Sequence, residues 1–181
     1  MNMFGQLYMH KYKHKDRQSG FSLIELMTAV AIGGIVMAVG FPLFSGFIKN
    51  SRLTTQTNDV LTALHVARNE AVTRGHNIRI LTLSGSTDWA SGWQIRLDVN
   101  DDGTTDAEDI VLRNYDAIEN ATLVGDVSSI TFEPTGYLDQ DFNAAPAAIT
   151  LTASKCTADD IRVINIQLSG LVSFTKQTCP P

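Results

Sequence analysis

The feature that most constrains this chain is an uninterrupted apolar stretch near its N-terminus. The 23 residues from 26 to 48 contain no charged side chain. As an α-helix rising about 1.5 Å per residue, they span roughly 35 Å, enough to cross a bilayer core of about 30 Å. The first 20 residues carry a formal net charge of +3. Because positive charge is retained in the cytoplasm, the sequence predicts a single-pass membrane protein whose C-terminal part lies on the far side.

A secretory signal peptide does not explain this stretch. Its hydrophobic region would be only about 7–15 residues long, and no small-residue cleavage site follows. Glu25 is the single charge between positions 21 and 48. A charge at membrane depth costs several kcal/mol unless it is paired or lies near the interface. Glu25 therefore either sits among lipid headgroups or has a partner.

The residues around Glu25 form a specific motif. Positions 20–26 read Gly-Phe-Ser-Leu-Ile-Glu-Leu, behind a short basic segment and ahead of the apolar run. This resembles the processing site of type IV pilins and type II secretion pseudopilins. The resemblance implies that a prepilin peptidase cuts between Gly20 and Phe21 and methylates the new amine of Phe21. It also implies that Glu25 pairs with the N-terminal amine of a neighbouring subunit and so sets the axial register of the helices.

Pro42 lies within the apolar run at a position where pilins often carry a proline. Proline removes one backbone donor, which predicts a bend or local melting over residues 38–42. Pro42 is therefore placed with Glu25 among the residues that serve assembly.

Beyond residue 48 the chain becomes polar but keeps a helical period. An apolar stripe recurs at three- and four-residue steps: Leu53, Thr57, Val60, Leu61, Leu64, Ala67 and Ala71. Gly75 follows Arg74 as expected of a helix C-cap. We predict one helix over residues 21–74, whose second half packs against a head domain.

The remaining sequence alternates as in an antiparallel β domain, and turn signals such as Asp102-Gly103 separate the runs. Strands are predicted over residues 77–83, 93–99, 110–115, 129–132, 148–152, 161–168 and 171–175. The expected class is α+β, with a type IV pilin fold. The organisation is a leader at 1–20, a transmembrane and assembly helix at 21–48, its amphipathic half at 49–75 and a periplasmic β-rich head at 76–181.

Several segments resemble a narrower family, the H-type minor pseudopilins (GspH-type) and the FimT/FimU-type minor pilins. They are residues 67–71 near the helix end, the Trp89–Trp93 segment, residues 98–103, Cys156 and residues 169–172. Together they cover most of the predicted head.

Cys156 and Cys179 are the only two cysteines. In an oxidising periplasm they are expected to form a disulfide, which would contribute about 3 kcal/mol by constraining the unfolded chain. Two free thiols are the alternative. Neither cysteine lies in a C-x-x-C pattern, which argues against redox catalysis.

The segment from 98 to 109 follows the opening of an EF-hand calcium loop. Carboxylate or amide side chains stand at positions one, three, five and nine, with Gly at six and Asp instead of Glu at twelve: Asp98, Asn100, Asp102, Asp106 and Asp109. The flanking elements are predicted strands rather than helices. We therefore prefer an acidic hairpin loop whose residues satisfy turn geometry, and keep a calcium site as the alternative.

No nucleophile elbow, phosphate loop or zinc spacing is present, so no enzyme activity and no cofactor other than calcium is predicted. His65 and His76 have no sequence-visible partner set, and Trp89 and Trp93 are assigned to core packing. Nucleic-acid binding is disfavoured because residues 170–176 carry one lysine and no arginine, and the chain without its leader has a formal charge of −8.

The preferred function is a minor type IV pilin that is stored in the inner membrane and then built into a pilus fibre, at its initiating or tip end. The expected partners are other minor and major pilins or pseudopilins and the prepilin peptidase. A minor pseudopilin of a type II secretion system is the alternative, and a DNA-uptake pilin is disfavoured. A calcium-dependent adhesive tip is a further alternative.

Overall fold

The computed structural model describes residues 20–139, 147–157 and 159–180. The chain divides into two compact units, Met1–Leu43 and Phe44–Pro181. One helix is followed by eight strands: α1 Leu23–Arg74, β1 Ile78–Thr82, β2 Trp93–Leu97, β3 Ile110–Tyr115, β4 Ala121–Gly125, β5 Ser129–Phe132, β6 Ala147–Ala153, β7 Ile161–Ile166 and β8 Val172–Gln177. A short 3-10 helix, Trp89–Ser91, connects β1 to β2. Most of the predicted leader lies outside the described residues.

The helix begins at Leu23, two residues later than predicted, because Ser22 caps it. The Ser22 hydroxyl accepts a hydrogen bond from the backbone N–H of Glu25 at 3.2 Å. Ser at the N-cap with Glu three residues later is the capping-box pattern, which ends the extended segment and starts the helix. The helix then continues through residues 38–42, so the local melting expected at Pro42 does not occur.

The second half of α1 packs as the stripe predicted. Six of its seven residues are buried and Leu61 is partly buried against the core. The helix ends at Arg74, and Gly75 donates its N–H to the carbonyl of Ala71 at 2.9 Å with a φ of +70°. This left-handed conformation favours glycine, which confirms the predicted C-cap.

Two four-stranded antiparallel sheets complete the larger unit. The first has the order β3-β2-β1-β5 and the second β4-β6-β7-β8. Seven strands lie where alternation predicted them: β3 and β5 match at both ends, and the ends of the others differ by at most two residues. The second predicted strand stops at Leu97, and Val99, which was predicted to end that strand, is 41% exposed in the following loop.

One core joins the helix to both sheets. It contains the helix stripe together with inward-facing residues of the first sheet, such as Ile80 and Ile95, and of the second, such as Leu151 and Ile164. The second sheet shows the period of two clearly, since every other residue of β6 is buried. The core thus fixes residues 53–71 of α1 against the strands.

Trp89 links the two sheets. Its side chain is fully buried and its Nε1–H donates to the carbonyl of Val127 at 2.8 Å. A Cβ at Gly125 would lie 2.4 Å from that nitrogen, so β4 can approach the tryptophan only with glycine there. The connection between β1 and β2 is therefore anchored on β4 of the other sheet.

Candidate functional site

The predicted processing junction lies ahead of the helix. Gly20 and Phe21 have no regular secondary structure, and Phe21 is 82% exposed. No atom of the described chain lies within 4 Å of a Cβ built on Gly20. The junction is therefore open to a binding partner on the part of the chain that the structure describes. The cleavage itself stays a prediction.

The first half of α1 presents an apolar surface that the described chain does not cover. Its large hydrophobic side chains that the structure describes between Leu23 and Phe47 are each 60% exposed or more. This is the one helix of the described chain that is long and apolar enough to cross a membrane, judged by length and composition. Glu25 is exposed on the same segment and forms no ion pair with a described residue. An apolar surface of this length requires lipid or other helices around it.

Two of the family-like segments, residues 67–71 and 169–172, meet the turn after β5 at Arg68. Its Nε donates to the carbonyl of Gly136 at 2.8 Å and its Nη2 to the carbonyl of Ser169 at 3.3 Å. A Cβ at Gly170, where φ is +73°, would lie 2.0 Å from the Gly136 carbonyl oxygen. The helix arginine thus holds together the turn after β5 and the turn before β8, and the close approach of those turns requires glycine.

A polar clamp fixes α1 to the loop between β6 and β7. Lys49 Nζ lies 2.6 Å from Asp160 Oδ2, and Asn50 Oδ1 accepts from Arg162 Nη2 at 3.1 Å. Burial disfavours ionisation of Asp160, but hydrogen bonds from Lys49 and Thr157 outweigh burial and hold the pKa of Asp160 below its ordinary value of 3.8. Asp160 is therefore an anion throughout the neutral range.

The predicted disulfide is formed in the same region. Cys156 follows β6 and bonds Cys179, which follows β8. The bridge ties the C-terminal segment to the β6–β7 loop. The free-thiol alternative is thereby wrong for this structure.

The segment from 98 to 109, named here the acidic loop, connects β2 to β3. Asn100 Nδ2 donates to Asp102 Oδ2 at 3.0 Å and to Asp106 Oδ2 at 3.3 Å. Asp98 is 1% exposed and accepts the N–H of Gly103 at 2.9 Å. The loop thus brings together the side chains at positions three, five and nine of the calcium pattern, although no three His, Cys, Asp or Glu side chains among the described residues form a ready metal group.

Asp109, at position twelve, lies beneath the acidic loop beside Arg96. Its Oδ2 is 3.7 Å from Arg96 Nη1, and its side chain is 2% exposed. Burial raises the pKa of Asp109 above 3.8; the backbone N–H of Asp106 opposes the shift, and the negative charges of Asp98 and Asp106 add to it. The loop therefore concentrates negative charge that Arg96 compensates only in part.

The other candidate residues have structural positions. Trp89 and Trp93 are buried, as core packing predicted, and Trp93 stacks on Tyr115 with ring centroids 5.3 Å apart. His65 is exposed on α1. His76 Nδ1 lies 3.2 Å from Asp101 Oδ2 at the exposed edge of the acidic loop.

Comparison with known proteins identifies the family. Residues 56–170 match the family described as Type II transport protein GspH, and residues 15–41 match the prokaryotic N-terminal methylation motif. The chain belongs to the GspH family. The methylation motif together with the apolar helix fits a membrane-anchored pilin.

Relatives and solved structures agree with this assignment. Two fimbrial proteins of Pseudomonas aeruginosa are 31% identical over 101 residues, which is 49% of this chain and 65% of theirs. Two crystal structures of the type IV minor pilin FimU of P. aeruginosa strain PAO1 are 22% identical, with TM-scores of 0.55 and 0.58. They cover 67% and 71% of this chain and 91% and 92% of the FimU chains. The likeness confirms the predicted fold of a long N-terminal helix on antiparallel sheets.

Sequence reasoning missed three of the contacts that organise this GspH-family chain. The Ser22 cap was detectable from the Ser-x-x-Glu spacing. The roles of Arg68 and of the Lys49–Asp160 pair had no local signal, because their partners are 68 to 111 positions away in the chain.

Proposed function

We propose that this chain is a minor type IV pilin that is processed by a prepilin peptidase and then built into a pilus, where it helps to initiate or cap the fibre. The observation that carries the proposal is the bare apolar half of α1, headed by Glu25 and an open Gly20–Phe21 junction, on a chain whose other half folds like FimU. A head with its own buried core, joined to a helix whose apolar half needs neighbours, is the design of a fibre subunit.

The exposed helix half requires an apolar environment at every stage. The thirteen large hydrophobic side chains described between Leu23 and Phe47 would together gain on the order of 20–40 kcal/mol on full burial. Before assembly that environment is the inner membrane, with the basic leader in the cytoplasm and the head in the periplasm. In the fibre it is the helices of neighbouring subunits.

Glu25 gives the helix packing a register. A carboxylate inside a bundle of apolar helices is destabilising unless an opposite charge reaches it. The amine that cleavage creates on Phe21 of an adjacent subunit supplies that charge. If a neighbouring subunit is displaced along the fibre axis, the Glu25 carboxylate and the Phe21 amine are both left unpaired. The charge pair therefore favours one axial offset between adjacent helices.

Processing is tested with Gly20→Val in cells that contain the peptidase. Because the space around Gly20 is open, valine leaves the fold intact and interferes only with recognition. We expect the unaltered chain to yield a mature form that begins with methylated Phe21 by mass spectrometry, and Gly20→Val to remain at precursor length. Normal cleavage of Gly20→Val, or an unmodified Phe21 in the mature form, would contradict the assignment.

Assembly is tested with Glu25→Ala, Glu25→Asp and the neutral control Met27→Ala on the same exposed surface. We expect Glu25→Ala to abolish recovery of the chain in sheared pili, Glu25→Asp to retain part of it because the charge remains, and Met27→Ala to assemble normally. All three should be processed and reach the membrane at equal levels. Unchanged incorporation of Glu25→Ala would refute the pairing role.

A pseudopilin of a type II secretion system is the second candidate, supported by the GspH family match over residues 56–170. Deletion of the gene separates the two functions. Loss of surface pili with intact protein secretion supports the pilin, whereas loss of secretion with intact pili supports the pseudopilin.

A further inference from the structure

Two buried carboxylates in the acidic loop each leave one oxygen without a partner. Asp98 Oδ2 accepts the Gly103 N–H, but Asp98 Oδ1 is buried and has no hydrogen-bond partner. Asp109 Oδ1 is also buried without a hydrogen-bond partner. Buried carboxylate oxygens are normally satisfied, since stripping water from an anion without replacing it is strongly unfavourable. Each oxygen therefore lacks the hydrogen-bond donor or cation that normally accompanies a buried carboxylate.

The nearby arginine does not supply it. Arg96 Nη1 is 3.7 Å from the other oxygen of Asp109, and Arg96 Nε is itself buried without a partner. Asp98 forms no ion pair with any residue of the described ranges. Six acidic side chains stand between positions 98 and 109 and no basic one does. Arg79, buried beside the loop, donates to Thr105 Oγ1 at 3.1 Å, so two arginines face six acidic side chains and negative charge remains in excess.

The polar side chains of the loop converge on the Asn100 amide group. Its NH₂ stands between the carboxylates of Asp102 and Asp106, at 3.0 and 3.3 Å from their nearest oxygens. This is a position where negative charge accumulates and a donor is held by two anions. Rotation of the amide by half a turn would present its oxygen to the same space.

We propose that the acidic loop binds one Ca²⁺ ion through oxygen atoms of five side chains: Asp98, Asn100, Asp102, Asp106 and Asp109. All the donors are hard oxygens in a loop with irregular backbone, which suits the six to eight flexible ligands of calcium. Magnesium demands a tighter octahedron, and zinc prefers nitrogen and sulfur. The sequence did not reveal that oxygens of Asp98 and Asp109 are buried without partners. These oxygens favour a bound ion over a loop whose polar groups are all satisfied by hydrogen bonds within the loop.

Binding contracts the loop. The carboxylates do not form a ready metal group among the described residues, so the ion replaces the Asn100 NH₂ and draws the acids inward. Asp101 already accepts the backbone N–H of Asn77 at 2.8 Å, just beyond the end of α1. The ion therefore stiffens the junction between the helix end and the first sheet, and this role does not depend on whether the chain is a pilin or a pseudopilin.

The test uses the full chain in detergent micelles, freed of metal with EGTA. Calorimetric titration with CaCl₂ should give saturable binding of one ion per chain. The melting temperature, followed by the fluorescence of buried Trp89 and Trp93, should rise in about 5 mM CaCl₂, a concentration above the roughly 0.1–1 mM dissociation constants of extracellular calcium modules. An equal concentration of MgCl₂ should produce a smaller rise.

Three variants locate the site. Asp102→Asn removes an exposed ligand and Asp98→Asn a buried one, while Glu108→Gln removes the same charge from an exposed residue of the same loop that is not a ligand. We expect at least tenfold weaker binding for the two ligand variants and less than a threefold change for Glu108→Gln. Absence of saturable heat and of a thermal shift overturns the proposal. So does equal weakening by Glu108→Gln and Asp102→Asn, which would indicate diffuse attraction to an acidic surface.

Discussion

Replacement of Arg68 with methionine tests whether one helix side chain holds the two sheets together. Methionine keeps the unbranched apolar stem of arginine and its helix propensity, but donates no hydrogen bond. The variant loses the bond to Gly136 at 2.8 Å and the bond to Ser169 at 3.3 Å. The carbonyls of both turns lose a charged donor, and the turns lose their common anchor.

The expected cost follows from the geometry. A hydrogen bond from a charged group contributes about 1.5–3 kcal/mol, and the longer, exposed bond to Ser169 lies below that range. Together they predict a loss of about 2–3 kcal/mol in the free energy of unfolding. In a unit of this size each kcal/mol lowers the melting temperature by about 2–4 °C, so Arg68→Met should melt about 4–12 °C lower.

The assay is thermal unfolding of the full chain in micelles, followed by tryptophan fluorescence, because both tryptophans are buried in the larger unit. Arg52→Met is the matched control: Arg52 is exposed on the same helix and makes no hydrogen bond to the described chain. Its melting temperature should change by less than about 1 °C, as expected for exposed substitutions. Equal melting temperatures for Arg68→Met and Arg52→Met would refute the role of Arg68.

Three other perturbations probe neighbouring features. Asp160→Asn should reduce the loss in the free energy of unfolding that occurs at acid pH. Because the pKa of Asp160 is lowered in the folded state, the ionised carboxylate stabilises the fold above pH 3.8, and this stabilisation is lost as the pH falls through lower values. Reduction of Cys156–Cys179 should destabilise the fold by about 3 kcal/mol, measured by melting with and without reductant. Gly170→Ala should destabilise by more than 2 kcal/mol, because a Cβ there meets a carbonyl oxygen at 2.0 Å. Gly85 has a similar φ, but no atom lies close to a Cβ built there. Gly85→Ala should therefore lower the free energy of unfolding only by the cost of the left-handed backbone.

Much of the fold was predictable because its elements have local periodicity. The helix stripe from Leu53 to Ala71 and the alternation of β6 each report burial within a few residues. Strand β4 was missed because only Leu123 and Gly125 are buried on it. Gly125 reads as a break in the sequence, whereas in the structure it is the surface on which Trp89 rests.

The candidate sites divide in the same way. The processing motif is contiguous, so its residues could be named from the sequence, although their roles stay predictions. The acidic loop was recognised by spacing, but the burial of Asp98 and Asp109 depends on how β2 and β3 pack and has no signature in the spacing. Arg68 was noticed only as part of a family-like segment, since its two partners come from distant turns.

The disulfide also decides how the head would respond to mechanical load. A subunit anchored by one helix takes force at the helix, and the Lys49–Asp160 clamp passes that force to the β6–β7 loop. The Cys156–Cys179 bond encloses a sequence separation of 23 residues, which removes about 80 Å of contour length from any forced extension. Strands β7 and β8 lie within this closed ring, so tension reaching the loop cannot peel them away in sequence. Forced unfolding of the oxidised head must therefore begin outside residues 156–179. The total extension measured for the oxidised head should be shorter than that of the reduced head by about 80 Å.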